Sequence, residues 1–318
     1  RKTLIGAASL FTACGAKLNG FPFDRGLTNP IGLQATYFSV GCTLIQYGNR
    51  ALLTDPFWSH RPLLEVATSA LKHDIEEIDK HRSKLSSVTA VLIGHGHYDH
   101  CLDLDQVSDD LRHDAVIYGS QTLKRIFAKS NLSKPIVTVN TMVATETKTG
   151  IWQYTKDQRM RILPILSGHP NQWLCFHLFK DKLKADLKHP PTRVWDYQEG
   201  ISLAYLVDFI DQGVIEKRVY IQTSSTGWPA GFFPKSIRDE APIDAAILAM
   251  DCANYKRQGK SPSIIDYLRP KTILFCHWED FFRSKEETPS EIVKVDLPDL
   301  KHFFKSTAET TYLFPAWN

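Results

Sequence analysis

The sequence contains no apolar run of the roughly 18 residues that a transmembrane helix requires. It also contains no low-complexity linker and no Cys-x-x-Cys pair. Its 38 basic and 35 acidic side chains leave a net charge of only +3, and no long basic block occurs. These absences exclude a polytopic membrane protein, a coiled coil and a collagen-like fibre, and they argue against a nucleic-acid partner.

Many strand patterns with a few interposed helices make up most of the chain. The 318 residues are 43% hydrophobic and 23% charged, so a core can form without a disulfide framework. Apolar runs and alternation predict strands at residues 36–47, 50–54, 88–93, 115–118, 136–139, 152–166, 202–209, 214–222, 245–250 and 272–275. Helical spacing occurs at residues 102–111, 122–129, 263–268 and 300–304. The combination predicts a layered α/β sandwich.

The first fourteen residues have the order of a secretory signal. Two basic residues open the chain, apolar or small residues continue to Ala13, and Cys14 follows. The four residues ending at Cys14 resemble a bacterial lipoprotein processing box, in which that cysteine is lipidated. We therefore expect residues 1–13 to be a signal peptide, residues 14–31 a tether and residues 32–318 the functional domain. This implies a lipid-anchored protein on the periplasmic face of a bacterial membrane; an ordinary apolar N-terminal strand or helix is the alternative.

A segment at residues 173–189 combines apolar and lysine side chains. Phe176, Phe179, Leu183 and Leu187 recur at spacings of three and four, which predicts one face of a helix, and lysines lie between them. The segment is either a surface helix with an apolar inner face or a contact for a lipid surface or a phosphorylated substrate.

Four candidate metal ligands follow the apolar run of residues 88–93, in the segment His95-Gly96-His97-Tyr98-Asp99-His100. His95 and His97 are two positions apart, so they face the same way in an extended segment. Imidazole and carboxylate groups are typical ligands for zinc and similar ions. Gly94 and Gly96 give the loop room to bend around an ion. The density of ligands directly after a buried strand predicts a metal site.

This segment resembles the His-x-His-x-Asp-His signature of the metallo-β-lactamase superfamily. Further matches to that family are Asp55 in a Thr-Asp-Pro segment, His169 after a predicted strand, and His277 in a Cys-His-Trp segment. The resemblance extends from about residue 32 to the end of the sequence. It implies a four-layered αββα sandwich with a metal site at one edge of the paired sheets.

The resemblance also implies a role for each matching residue. Two ligand sets follow: His95, His97 and His169 for one ion, and Asp99, His100 and His277 for the other. Asp55 would accept a hydrogen bond from a ligand imidazole and fix its tautomer. We expect one or two Zn²⁺ ions, with other divalent transition metals left open. Hydroxide supplied by the metal at neutral pH would attack the substrate, and Asp99 would act as the catalytic base that orients the water.

One position departs from the family pattern. The family's bridging aspartate stands in a Gly-Asp-Thr-Gly-like turn, and alignment of the Thr226-Gly227-Trp228 segment places Ser225 at that position. A neutral hydroxyl bridges two cations poorly, which predicts a weaker or empty second metal site. Asp251, at the end of a predicted strand, is the candidate substitute carboxylate; a strand-end aspartate that caps a turn is the alternative.

Residues 54–62 and 277–282 resemble the branch that includes N-acyl-phosphatidylethanolamine phospholipase D and ascorbate-6-phosphate lactonase. We expect a small-molecule or lipid-like substrate, and the near-neutral charge without a basic stripe argues against a nucleic-acid partner. The candidate substrate contacts are Trp228, His60 and Trp278. The sequence does not indicate an oligomeric state.

Three functions remain open from the sequence. The first is a metal-dependent hydrolase acting on a phosphodiester or ester-like bond, with lipid-derived substrates included. The second is a hydrolase of lactones or β-lactams. The third, favoured by Ser225, is an envelope protein that binds metal without turnover.

Overall fold

The computed structural model describes residues 32–170, 179–250, 262–287, 290 and 310–313. Four predictions therefore lie outside the described residues: the signal peptide at residues 1–13, the tether at residues 14–31, the helix at residues 300–304 and the substitute carboxylate Asp251. Within the described ranges, no helix combines the length and the apolar character needed to cross a bilayer.

The first sheet has six strands in the order β1-β2-β3-β4-β5-β6. Its strands are β1 (Leu33–Ser39), β2 (Cys42–Tyr47), β3 (Arg50–Thr54), β4 (Val88–Leu92), β5 (Val116–Gly119) and β6 (Ile136–Thr138). The first three strands pair antiparallel, and β3 to β6 pair parallel. Parallel strands deliver their carboxyl ends to one edge of the sheet, which is where loops that carry functional groups collect.

The second sheet has seven strands in the order β13-β12-β11-β10-β9-β8-β7. Its strands are β7 (Gln153–Tyr154), β8 (Met160–Leu166), β9 (Leu203–Asp211), β10 (Val214–Gln222), β11 (Ala245–Ala249), β12 (Thr272–Cys276) and β13 (Thr311–Leu313). Strands β7 to β10 pair antiparallel, and β10 to β13 pair parallel.

Short helices cover the outer faces of the sheets. Those in the first half of the chain are α1 (Leu63–Thr68), α2 (Ile75–Arg82), α3 (Tyr98–Cys101), α4 (Leu104–Val107) and α5 (Gln121–Ile126). The second half contributes α6 (Lys235–Arg238) and α7 (Ile264–Leu268). Single turns of 3₁₀ helix occupy Ser108–Asp110 and Val194–Asp196.

Strand β9 shows how the layers are built. Tyr205 and Val207 belong to the apolar cluster between the two sheets, whereas Ala204 and Leu206 belong to the cluster between the second sheet and its helices. Successive side chains of a strand point to opposite faces, so a strand buried on both faces is apolar throughout. A third cluster lies between the first sheet and its helices. The predicted four-layered sandwich of the metallo-β-lactamase type is thereby confirmed.

The predicted strand at residues 36–47 is two strands that meet at a tight turn. Val40 has a φ of 49°, a conformation that β-branched residues rarely adopt. Its N–H and C=O both bond to the loop after β12, at Glu279 and His277. A β-branched residue in an apolar run predicts continuous strand, and these long-range hydrogen bonds override that preference.

The predicted helix at residues 173–189 is absent from its described part, residues 179–189. The backbone there bonds to other segments: Leu187 N donates to Arg125 O at 3.0 Å, and the Arg125 guanidinium donates to Leu183 O. Leu183 and Leu187 pack partly buried against the outer cluster of the first sheet, and the lysines between them are exposed. The apolar spacing thus marks the residues that pack, although the chain there is not helical.

The described structure also contains four helices that the sequence patterns did not predict: α1, α2, α3 and α6. For α2 the sequence does contain a helix-start signal. Asp74 precedes the helix and accepts a hydrogen bond from Glu77 N at 3.1 Å. An aspartate followed three residues later by glutamate is the sequence signature of a helix start. The predicted helix at residues 102–111 is instead the short helix α4 followed by a 3₁₀ turn.

Candidate metal centre

Strand β4 and its hydrogen bonds position the ligand loop. Ile93 N donates to Tyr118 O at 3.0 Å, and Gly94 O accepts from Leu203 N of the second sheet at 2.7 Å. Gly96 N then donates to Glu199 O at 3.0 Å. The loop is therefore tied to both sheets before it turns into α3.

Three imidazoles form the first cluster, and their ligand atoms lie within 4.8 Å of one another: His95, His97 and His169. Nε2 of His95 lies 3.0 Å from Nδ1 of His97. The ring of His169 lies 4.6 Å from that of His95 and 4.7 Å from that of His97. His95 and His97 come from the first sheet and His169 from the second, so the cluster joins the two sheets.

Two rings of the first cluster, those of His97 and His169, each have one nitrogen close to a backbone carbonyl. Nε2 of His97 lies 3.3 Å from Phe179 O, and Nδ1 of His169 lies 2.7 Å from Pro170 O. A ring N–H that bonds to a carbonyl fixes the tautomer and turns the other nitrogen toward the ion. Burial and the neighbouring imidazoles lower the pKa of His95 and of His169 well below the ordinary value. Neutral imidazoles are the form that binds metal.

The second cluster comprises Asp99, His100 and His277, whose ligand atoms also lie within 4.8 Å of one another. Oδ2 of Asp99 lies 3.6 Å from Nε2 of His100 and 3.5 Å from Nε2 of His277. Burial alone would raise the pKa of Asp99, but His100 and His277 lower it below the ordinary value. Asp99 is therefore a carboxylate at neutral pH. The rings of His95 and His100 are 3.9 Å apart, so the two clusters adjoin.

Asp55 supports both the loop and the second cluster. Its Oδ1 accepts from Gly94 N at 2.7 Å, and its Oδ2 lies 2.7 Å from Nδ1 of His100. Asp55 and His100 are both fully buried. Asp55 therefore lies within hydrogen-bond distance of His100, and its role in orienting a metal ligand stays a prediction.

The residues present fit a divalent metal ion. Among the described residues, Nε2 of His100 is buried and has no hydrogen-bond partner, although its other nitrogen is fixed by Asp55. A buried polar atom left without a partner costs stability unless something binds it. Three imidazoles in one cluster and two imidazoles with a carboxylate in the other are donor sets that zinc and similar ions favour.

A hydroxyl-rich turn after β10 closes the site from the second sheet. A side chain at Gly94 would collide with the Thr223 hydroxyl, and one at Gly168 would collide with Thr226. Ser225 lies between these two contact points, is fully buried, and accepts from Gly227 N at 3.2 Å. The hydroxyls of Thr223 and Ser224 are buried without a hydrogen-bond partner in the described part of the chain. The turn thus offers hydroxyl groups and no carboxylate.

The three predicted substrate contacts lie in three different environments. Trp228 is 43% exposed and its Nε1 donates to Glu146 at 3.4 Å. Trp278 is fully buried in the outer cluster of the second sheet, and we assign it to packing rather than to substrate. His60 stacks on Phe57 and lines a separate cavity of about 530 Å³, whose lining includes neither cluster. Of the three, only Trp228 offers exposed ring surface.

The sequence patterns missed three supports of the site. The Phe179 carbonyl bonds to His97, Thr223 packs against Gly94, and Glu279 bonds to the turn between β1 and β2. Glu279, two residues after His277, carried a weak signal, since an acidic residue within an apolar stretch requires a partner when buried. Phe179 acts through its backbone carbonyl and Thr223 through its packing against a glycine, and no sequence pattern is diagnostic of either contact.

Residues 50–184 match the family described as the Beta-lactamase superfamily domain. A metallo hydrolase from the archaeon Ignicoccus hospitalis has the same fold, with a TM-score of 0.53 at 14% identity, covering 90% of this chain and 96% of its own. A protein from Veillonella parvula, described as a possible metal-dependent hydrolase, gives a TM-score of 0.53 at 12% identity, covering 91% and 98%. An isothiocyanate hydrolase from Delia radicum gut bacteria gives 0.50 at 15%, covering 90% and 96%.

No curated protein sequence matches the chain. Residues 50–184 are therefore similar to that domain family, the chain has the metallo-β-lactamase sandwich fold, and it carries two His/Asp clusters that could bind metal.

Proposed function

We propose that this protein is a metal-dependent hydrolase whose reaction takes place at the two adjoining clusters. One observation carries the proposal: six buried candidate ligand groups from three chain segments meet at one edge of the sandwich, in two sets each within 4.8 Å. A structural zinc site is normally closed by four protein ligands, whereas three protein ligands leave a position for water or substrate. Each cluster here offers three.

In this proposal His95, His97 and His169 hold one ion, and Asp99, His100 and His277 hold the second. A bound divalent ion makes water nucleophilic at neutral pH and polarises the bond under attack. Zinc is the ion we propose, because five of the six ligands are imidazoles and zinc favours nitrogen donors over the all-oxygen sets of magnesium and calcium.

Two aspartates of the chain have separate roles in this proposal: Asp99 accepts a proton, and Asp55 orients a ligand imidazole. Asp99 is ionised, lies beside both imidazoles of its cluster, and is the one carboxylate in either ligand set. With a metal ion bound, Asp99 could accept a proton from the attacking water. Asp55 holds the His100 ring with Nε2 toward the cluster, so that this ring needs no reorientation when the ion binds.

For the substrate we propose a small molecule with a phosphodiester or ester-like bond. If the protein is anchored in a membrane, we propose that this molecule is derived from a lipid. Support comes from the resemblance of residues 54–62 and 277–282 to a lipid phosphodiesterase and phosphosugar lactonase branch, and from the lysines exposed at residues 180–188 beside the site. The lipid anchor at Cys14 and the periplasmic location remain part of the proposal. Lactone hydrolysis is the competing reaction on the same site.

A second candidate is metal binding without turnover. The observation that favours it is the turn after β10, which offers Ser225 where the family pattern has a carboxylate bridge. Asp99 would then be the single carboxylate in the two ligand sets, with none bridging the ions, and the second ion would be held less tightly.

The test compares His97→Ala with His113→Ala, since His113 is exposed and belongs to neither cluster. Metal content is measured by mass spectrometry, and hydrolysis is measured on bis-p-nitrophenyl phosphate, a phospholipid and a panel of lactones. We expect His97→Ala to lose about one ion per chain and most of the hydrolysis, and His113→Ala to retain both. Full hydrolysis by a folded His97→Ala variant, or activity that survives chelation, would refute the proposal. Stoichiometric metal with no hydrolysis on any substrate would favour the binding protein.

A further inference from the structure

Glu279 is a buried carboxylate that joins the loop after β12 to the first sheet. Its Oε1 accepts from Val40 N at 2.6 Å, and its Oε2 accepts from Trp278 N at 3.1 Å. The Tyr37 hydroxyl lies 2.5 Å and 2.6 Å from these two oxygens. Glu279 and Tyr37 are both fully buried. Three donors from two sheets therefore meet on one carboxylate, 242 residues from the tyrosine in sequence.

The same contacts hold two residues in a strained backbone conformation. His277 has a φ of 55° and Val40 a φ of 49°, in the left-handed region that non-glycine residues seldom adopt. His277 N donates to Val40 O at 2.9 Å, so the two residues are bonded to each other. A residue keeps such a conformation only when contacts with the surrounding structure offset its strain. Residues of this kind are concentrated at functional sites.

We infer that Glu279 is a positioning residue for the second cluster, and that Tyr37 assists it. By fixing the backbone of Val40 and Trp278 on either side of His277, the carboxylate sets the direction in which the His277 imidazole meets Asp99. The inference rests on the proposed function, because the imidazole needs this placement only if it binds an ion. It adds a residue that contacts neither substrate nor metal but acts through His277.

A carboxylate suits this position and an amide does not. Both oxygens of Glu279 face N–H donors, one from Val40 and one from Trp278. Glutamine has a single acceptor oxygen, so Glu279→Gln turns an NH₂ group toward one of these donors at unchanged volume. Tyr37→Phe removes one donor and leaves both backbone contacts in place. The glutamine variant is therefore expected to disturb His277 more than the phenylalanine variant.

The experiment isolates the second cluster by working in a His97→Ala background, which disables the first. Cobalt is titrated into this parent and into the same chain with Glu279→Gln, Tyr37→Phe or Asp208→Asn, and the visible cobalt bands report affinity and ligand geometry. Asp208 is the matched control because it is another fully buried carboxylate and pairs with Arg218 rather than with the site. Circular dichroism and melting temperature establish that each variant is folded.

We expect Glu279→Gln to weaken cobalt binding about 10- to 100-fold, the usual effect of losing a group that orients a metal ligand. Its cobalt bands change in intensity, Tyr37→Phe has a smaller effect in the same direction, and Asp208→Asn lowers the melting temperature without changing cobalt affinity. Parental affinity and spectrum in a folded Glu279→Gln variant would overturn the inference, as would an equal loss in Asp208→Asn. No cobalt binding by the His97→Ala parent, where the wild type binds one ion, would refute the second cluster as a metal site and the inference with it. No binding by the wild type would refute the proposed function itself.

Discussion

The Asp55 carboxylate lies 2.7 Å from Nδ1 of His100 and accepts the Gly94 N–H at 2.7 Å with its other oxygen. Asp55 adopts a φ of 38°, directly after strand β3, and both side chains are fully buried. One carboxylate therefore sets the start of the ligand loop and the tautomer of a ligand within it. This double role makes Asp55 a sensitive position for metal binding.

Asp55→Asn is expected to weaken metal binding at the second cluster by about 10- to 100-fold. An asparagine that turns its NH₂ toward Nδ1 favours the tautomer with hydrogen on Nε2, which then cannot bind an ion. The measurement is a zinc titration by calorimetry, with the melting temperature recorded in parallel. Asp196→Asn is the control, because Asp196 accepts two backbone N–H groups in a cap and belongs to neither cluster. Equal zinc affinity in Asp55→Asn and wild type would contradict the role we assign.

Ser225→Asp is expected to tighten binding of the second ion by about tenfold or more, equivalent to about 1.4 kcal/mol. The substitution adds a negative charge to a buried turn that closes the site and that now offers only hydroxyl groups. Zinc stoichiometry and the second dissociation constant are the quantities to measure. Ser225→Ala serves as the control and should leave the second constant nearly unchanged. If both variants bind the second ion equally, Ser225 does not lie between the two ions.

Gly94→Ala is expected to destabilise the folded protein by about 1–3 kcal/mol and to reduce metal binding. The added methyl would collide with the Thr223 hydroxyl, next to the carboxylate of Asp55. Urea unfolding measures the loss. The double variant Gly94→Ala/Thr223→Ala should recover part of it, because alanine at 223 removes the colliding oxygen. Strictly additive losses in the double variant would show that the two positions do not interact.

The stability of the protein is expected to fall as the pH drops from about 6.5 toward 3, in part because of His60. Burial, with the charge of Lys285 as a smaller cause, lowers the pKa of His60 from 6.5 to about 3. The unfolded chain therefore takes up this proton from about pH 6.5 downward, while the folded chain does not until about pH 3. One such group changes the unfolding free energy by at most about 1.4 kcal/mol per pH unit.

His60→Phe keeps an aromatic ring against Phe57 and removes the titrating group. Urea unfolding of this variant at about pH 7 and about pH 5 should show a smaller loss than the wild type shows. His113→Phe, at an exposed position, should retain the pH dependence of the wild type. An identical loss in His60→Phe and wild type would mean that His60 is not the responsible group.

The ligand loop could be predicted because its chemistry is local. His95, His97, Asp99 and His100 lie within six positions after a buried strand, so pattern and spacing carry the prediction without any knowledge of long-range contacts. His169 and His277 depended on the family resemblance, since each is a single histidine after a strand. Their convergence on the loop follows from the sheet topology and from no feature of their own segments.

Other features depend on contacts that no local pattern encodes. The turn at Val40 is fixed by the loop at residues 277–279, more than 200 positions away, against the strand preference of a valine. The segment at residues 179–189 has helical spacing, but its backbone groups bond to Arg125 and other residues instead of to each other. In both cases tertiary hydrogen bonds decide the local conformation. The same reason hides the pairing of Tyr37 with Glu279 from the sequence.

Each of the two clusters draws its members from both halves of the sandwich: His169 joins the first from one sheet, and His277 joins the second. An ion in either place would link the two sheets, in addition to their apolar contacts and the hydrogen bonds that already join them. Metal binding and the stability of the two-sheet sandwich are then coupled, because an ion that binds only the folded chain stabilises the folded state by mass action. The melting temperature of this protein should accordingly rise when metal binds at either cluster.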